Sequence, residues 1–149
     1  MDTVIASIKE LKIRPSWDQY FVTIAYLISQ RSSCDRLHVG CVIVKDNHIV
    51  TTGYNGFIAG APHEGVIRDN HEQMTIHAET NAIADAAKRG VPLNGCTAYV
   101  THYCCINCCK VLIASGIKKI IYCEDYKNDE LVALLCSKGD VEITKFAVV

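Results

Sequence analysis

The sequence predicts an α/β protein of three layers, α/β/α, built on a five-stranded mixed sheet. Three observations predict it: a β-branched hairpin around residue 45, strands alternating with helices in the second half, and a glycine closing each of the later helices. In chain order, Val4, Ile5, Ile8 and Leu11 fall at helical spacing, and Pro15 breaks that pattern. Ser16 can then cap a second helix. Along it Trp17, Tyr20, Phe21, Ile24, Leu27 and Ile28 recur at three and four, so one face is apolar over about four turns and is expected to be buried. Arg31-Ser32-Ser33 ends it. Residues 39–44 are apolar and β-branched, Asp46-Asn47 is turn chemistry, and residues 49–54 resume a strand, which completes a hairpin.

Residues 55–74 show no periodicity and read as a long loop of the kind that carries function. Residues 77–88 are rich in Ala and Glu, and Lys88-Arg89-Gly90 supplies a basic last turn and a stop. A strand at 97–101 follows, then a helix from about 105 to 115 closed by Gly116. The remaining elements are a strand at 117–122, a helix at 129–137 closed by Gly139, and a last strand at 141–146. The chain of 149 residues is read as one domain, 1–149, with 1–15 as an N-terminal helical extension.

Composition excludes several classes of function. Half the residues are hydrophobic and 21% are charged, so the chain has what a packed core needs. Fifteen Lys plus Arg against sixteen Asp plus Glu leave a net charge of −1, with no basic excess to hold a nucleic-acid backbone. No apolar run approaches the ~20 residues of a membrane span, and Met1-Asp2 opens no signal peptide, so a soluble, cytoplasmic protein is expected. Nine cysteines is an odd number, and in a reducing compartment they are core filler, metal ligands or reactive thiols. Cys34, Cys41, Cys96, Cys123 and Cys136 stand singly and read as core. Cys104-Cys105-Ile106-Asn107-Cys108-Cys109 is different.

His77-Ala78-Glu79 opens one helix and Cys105-Ile106-Asn107-Cys108 opens another. A Cys-x-x-Cys pair at a helix start points both sulfurs one way, and the positive end of the helix favours thiolates. With one imidazole the set numbers three, which leaves the fourth tetrahedral position of Zn²⁺ open for a water whose pKa falls to about 7. Glu79, two residues after the histidine, is free to move protons. On these residues alone any two of the four thiols from 104 to 109 could serve.

His77-Ala78-Glu79 with Cys105-x-x-Cys108 resembles the signature of the zinc-dependent nucleotide and nucleobase deaminases. Ser16-Trp17-Asp18-Gln19-Tyr20-Phe21, Gln30-Arg31-Ser32, Gly53-Tyr54-Asn55-Gly56, Thr101-His102-Tyr103 and Glu124-Asp125-Tyr126 narrow the resemblance to the deoxycytidylate (dCMP) deaminases, over roughly residues 16–146. One departure is that the family usually has proline where this chain has Cys104. The resemblance implies the cytidine deaminase-like fold, and it makes His77, Cys105 and Cys108 the metal ligands and Glu79 the catalytic proton carrier. Cys104 and Cys109 are then structural.

The resemblance further implies Asn55 on the deoxyribose, where the alternative is a turn asparagine. Ala78, His102, Tyr103 and Tyr126 are candidates around the pyrimidine, the tyrosines by stacking, where the alternative is ordinary packing. Arg31, Ser32 and Ser33 could hold a 5′-phosphate or be solvated surface. The implied reaction is hydrolysis of dCMP to dUMP and ammonia, supplying dUMP for thymidylate synthesis. Family members are commonly homo-hexamers, activated by dCTP, with Mg²⁺ accompanying the triphosphate, and inhibited by dTTP, through a site near Gly53, Tyr54 and Gly56. A second, structural zinc is doubtful, because the loop at 55–74 offers His63, Glu64, His71 and Glu72 but no cysteine. Rival readings are the same chemistry on dCTP and, in another class, an inactive zinc-stabilised binding protein.

Overall fold

A computed structural model describes residues 2–148. Helix α1 (Asp2–Lys9) leads to α2 (Trp17–Ser29). Ser16 caps α2 as its sequence indicates: its hydroxyl accepts from the Gln19 amide while the Gln19 side chain accepts from the Ser16 amide, a reciprocal capping box. Strands β1 (Gly40–Lys45) and β2 (His48–Tyr54) form the predicted hairpin, and Asp46 and Asn47 both take positive φ, the geometry of a type I′ turn.

The segment read as a loop contains two small ladders. Strand β3 (Gly56–Phe57) pairs with β6 (Thr75–Ile76), and β4 (Ile67–Arg68) pairs with β5 (His71–Glu72) across Asp69-Asn70, again both at positive φ. Two-residue strands are too short to show a period; the repeated Asp-Asn pair is a signal for the β4–β5 turn alone.

Helix α3 (Ala78–Arg89) ends at Gly90 in the left-handed conformation. Strand β7 (Thr97–His102), α4 (Ile106–Ala114), β8 (Lys119–Glu124), α5 (Glu130–Lys138) and β9 (Glu142–Lys145) complete the chain. Strand β8 starts two residues later than its apolar run suggests, because the Ile117 and Lys118 amides close the turn after Gly116 by bonding to Leu112 and Cys96.

The five long strands form one mixed sheet in the order β2-β1-β7-β8-β9, antiparallel from β2 to β7 and parallel from β7 to β9. Alternate residues divide between its faces. Val42, Val44, Tyr99, Ile121 and Cys123 pack with Phe21, Val22 and Ala25 of α2. Cys41, Ile43, Ala98, Val100 and Ile120 pack with α3, α4 and α5 through Ala82, Ala86, Leu112 and Val132. This is the expected α/β/α arrangement, with α2 alone on one face. The six-residue stripe expected to be buried on α2 is only partly so. Phe21 is fully buried, but Trp17 is 51% exposed, and Tyr20 and Leu27 also face outward. The buried line runs through Phe21, Val22, Ala25 and Ser29, rotated because the sheet accepts the small Ala25 where Trp17 and Tyr20 would not fit. Among the described residues no helix is long and apolar enough to cross a membrane.

Candidate metal centre and active site

Two helix starts meet behind the carboxyl ends of the parallel strands. Strand β6 delivers His77 in extended backbone to the N-cap of α3, where its side chain makes no capping bond and its ring stays free. Strand β7 delivers Cys105 to the N-cap of α4, where its sulfur accepts from the Cys108 amide at 3.4 Å. His77 Nδ1 lies 3.5 Å from Cys105 Sγ and 3.3 Å from Cys108 Sγ.

These spacings fit a shared ion. Tetrahedral Zn²⁺ with Zn–S near 2.3 Å and Zn–N near 2.0 Å sets nitrogen and sulfur about 3.5 Å apart. His77, Cys105 and Cys108 are the one group of three or more such donors brought together among the described residues. The doubtful second zinc site finds no such group: His63 stacks on Phe57, and the Glu72 carboxylate accepts from the Val66 and Met74 amides.

The charge state of the site suits a cation. Hydrogen bonds from Cys108 and then from His77 pull the Cys105 thiol down to about 3, so this sulfur is a thiolate at neutral pH. Cys108 is shifted upward, first because its proton serves Cys105 and then by burial. The bond to Cys105 raises His77 above its ordinary range against the effect of burial. Glu79 is 4% exposed, one helical position beyond Ala78, and burial pushes its carboxyl up against the pull of its own backbone amide and of His77. Cys104 and Cys109 stand behind the ligands. Both are buried free thiols, and Cys109 Sγ lies 3.6 Å from Cys136 Sγ in the core. Thr80 Oγ1, 3.6 Å from Cys108 Sγ, is a neighbour of the ligand set that the motif did not flag, although it directly follows Glu79.

The remaining candidate residues are dispersed. Ala78 is fully buried. The Asn55 side chain accepts from the Val39 amide and donates to the Leu37 carbonyl, both at 2.8 Å, and its own carbonyl accepts from Ser32. Arg31 and Ser33 line a cavity of about 420 Å³ together with Gly53, Tyr54 and Gly56. The Phe57–His63 stack and Asn81 and Asp85 of α3 complete its walls. Sequence spacing could not join Arg31 to a turn more than twenty residues later. Both ring nitrogens of His102 are engaged, Nδ1 with Thr101 and Nε2 with Glu124. Tyr103 is buried edge-on against Tyr122, and Tyr126 stands more exposed, edge-on to the His102 ring.

Comparison with known proteins agrees with this geometry. The family model for the cytidine and deoxycytidylate deaminase zinc-binding region matches residues 15–124. ComE operon protein 2 of Bacillus subtilis is 47% identical over 134 residues, covering 87% of this chain and 71% of that protein. The deoxycytidylate deaminase of Saccharomyces cerevisiae is 33% identical over 145 residues, which cover 91% of this chain and 46% of the yeast protein, so the chain spans about half of that relative. Among solved structures, the dCMP deaminase of cyanophage S-TIM5, in complex with dCMP and dUMP, superposes with a TM-score of 0.80 at 29% identity, over 90% of this chain and 99% of that one. With its His-Cys-Cys cluster inside the matched region, the chain belongs to the cytidine and deoxycytidylate deaminase family and is a zinc-dependent hydrolytic deaminase.

Proposed function

We propose that the substrate is dCMP and the products dUMP and ammonia. The observation that carries this is the buried Glu79 carboxyl beside a three-donor metal set at two helix starts, on a fold shared with a phage enzyme solved with dCMP and dUMP. His77, Cys105 and Cys108 would hold Zn²⁺, which when bound would supply a Lewis acid that acidifies water. Glu79 would take a proton from the attacking water as a C–O bond forms at C4 of the cytosine ring. It passes that proton to N3 and helps a second one to the amino group, which leaves as ammonia. Burial suits Glu79 to this, since a carboxyl pushed up from its ordinary range holds a proton readily between the two transfers. Thr80 steadies the Cys108 sulfur. His102 has both nitrogens engaged, and Tyr126, edge-on to it and more exposed, is the candidate for stacking on the pyrimidine.

Regulation by dCTP and dTTP belongs to the same proposal, with the cavity beside Gly53, Tyr54 and Gly56 as the effector site. Arg31 and His63 give it cationic and imidazole donors, and its one acidic wall residue, Asp85, is already engaged by Arg89 and Thr51. A triphosphate there would bring its own Mg²⁺. Asn81 donates to the Tyr54 carbonyl, so the cavity shares α3 with His77 and Glu79. Asn55 orders the adjacent turn, and one amide hydrogen remains for a sugar hydroxyl. A homo-hexamer in the cytoplasm completes the reading by resemblance.

The test is ammonia release from dCMP, dCTP, CMP and deoxycytidine by the purified zinc-loaded chain, with and without dCTP as effector. dCMP should be turned over fastest, and dCTP should lower the dCMP concentration at half-maximal rate. Preferred turnover of dCTP would replace the substrate, and no turnover of any of the four would refute the dCMP reading and favour a chain that keeps the zinc fold for binding. Arg31→Ala separates two uses of the cavity: a changed KM for dCMP without effector assigns Arg31 to the substrate phosphate, and a lost dCTP response alone assigns it to the effector.

A further inference from the structure

Glu124, the last residue of β8, has no part in the chemistry above, yet it grips the segment that delivers Cys105 at two points. Its backbone carbonyl accepts from the Tyr103 amide at 2.9 Å, and its carboxylate Oε2 lies 3.2 Å from His102 Nε2. The other oxygen, Oε1, accepts from the Tyr26 hydroxyl of α2 at 2.7 Å. His102 Nδ1 in turn lies 2.8 Å from Thr101 Oγ1, and that oxygen accepts from the Gly40 amide of β1 at 3.1 Å.

These contacts set the protons from the Glu124 side. An ionised carboxylate only accepts, so Nε2 carries the hydrogen and donates it to Glu124. In the neutral ring Nδ1 is then bare and accepts from the Thr101 hydroxyl, whose oxygen accepts in turn from the Gly40 amide. A chain of hydrogen bonds thus runs from α2 through Glu124, His102 and Thr101 to β1, across the carboxyl end of β7. Three residues beyond His102 stands Cys105.

We propose that Glu124 is a positioning residue for the deamination: by holding His102 as the neutral Nε2–H tautomer and tying it to Tyr26, it fixes the angle at which β7 presents Tyr103 through Cys105 to the metal site. Its carboxylate is engaged with His102 and Tyr26 rather than with His77, Cys105 or Cys108, and its effect is on geometry. The Tyr126 ring stands edge-on to the His102 ring that this carboxylate holds.

The test uses the zinc-loaded full chain and rests on the dCMP reading for its rate arm only. Glu124→Ala should lower kcat for dCMP about tenfold while one zinc per chain remains, because outer partners of metal-site segments act on orientation rather than occupancy. Glu124→Gln should restore most of the rate, since the amide oxygen accepts from His102 and the amide N–H donates to the Tyr26 oxygen. Tyr26→Phe, which removes one hydroxyl without opening the core, should give a smaller loss in the same direction. Long-range ¹⁵N–¹H spectra should show the Nε2–H tautomer of His102 in the wild type and in Glu124→Gln, and a mixture in Glu124→Ala. The proposal is overturned by the Nδ1–H tautomer in the wild type, by a wild-type kcat in both Glu124→Ala and Tyr26→Phe, or by Glu124→Gln being as impaired as Glu124→Ala. If Glu124→Ala fails to fold, Tyr26→Phe and the spectra decide. A wild type that turns over no dCMP would instead sink the substrate reading, and the His102 tautomer would still report on the network.

Discussion

Replacing Gly53 with alanine would strike the catalytic helix from behind. A Cβ at Gly53 would stand 2.3 Å from the Ala78 carbonyl oxygen and 2.5 Å from the Ala82 amide nitrogen, both backbone atoms of α3. Ordinary contact begins at 3.4 Å. Neither obstacle is a side chain that can swing away, so α3 must retreat from β2 by about 1 Å, and misplacement of that size at reacting groups costs on the order of 10²-fold in rate. The flanking residues of Ala78 are His77 and Glu79, so the proposed metal ligand and the proposed proton carrier move together. Overpacking of this kind costs about 1–3 kcal/mol, which for a chain of this size lowers Tm by roughly 3–10 °C. Gly56 is the internal control, since a Cβ there would meet only the Tyr54 ring at 3.7 Å and Ser33 Oγ at 3.9 Å. Thermal melts, zinc content and dCMP turnover of Gly53→Ala and Gly56→Ala should differ sharply, the first variant unstable and slow, the second near wild type. Wild-type Tm and rate in Gly53→Ala, or equal damage in both variants, would refute the packing argument.

Two further outcomes follow from the site. Cys104→Pro and Cys109→Ala should each keep one zinc per chain by metal analysis, because both sulfurs face the core rather than His77; loss of zinc from Cys104→Pro would reassign the ligands. Stability should fall as pH drops below about 6.5, because burial lowers the folded-state pKa of His102 although Glu124 opposes it. Above 6.5 His102 is neutral in both states and its contribution is complete; below it the unfolded chain protonates first and stability drains until the folded pKa is passed. Urea midpoints at pH 7.5 and 5.5 should differ less in His102→Asn than in the wild type, and equal differences would exclude His102 as the source.

Local chemistry was legible and long-range placement was not. The box between Ser16 and Gln19, the Asp46-Asn47 turn and the Gly90 stop act within four residues of themselves, so their residue types sufficed. The clustering of His77, Cys105 and Cys108 was legible because His77 and Cys105 each occupy a helix N-cap, a position that can be recognised from the flanking sequence. Periodicity misled on α2, where Trp17 and Tyr20 share the apolar stripe but not the buried line. A hydrophobic period reports which residues avoid polar neighbours, and the sheet beneath decides which of them it covers. Arg31 met the Gly53–Gly56 turn only through the fold, and Asn55 turned its amide toward residues sixteen and eighteen positions earlier. Glu124 stood in the recognised stretch without a role, because its partners Tyr26 and His102 come from two other elements.

The central claim is that Glu79 carries protons at a zinc site held by His77, Cys105 and Cys108, and the most direct measurement is ammonia release from dCMP by zinc-loaded wild type and Glu79→Ala side by side. The account predicts turnover by the wild type, and a variant that keeps its zinc and its melt but loses 10²–10⁴-fold or more in kcat. A Glu79→Ala chain that retains zinc and releases ammonia at the wild-type rate would contradict it.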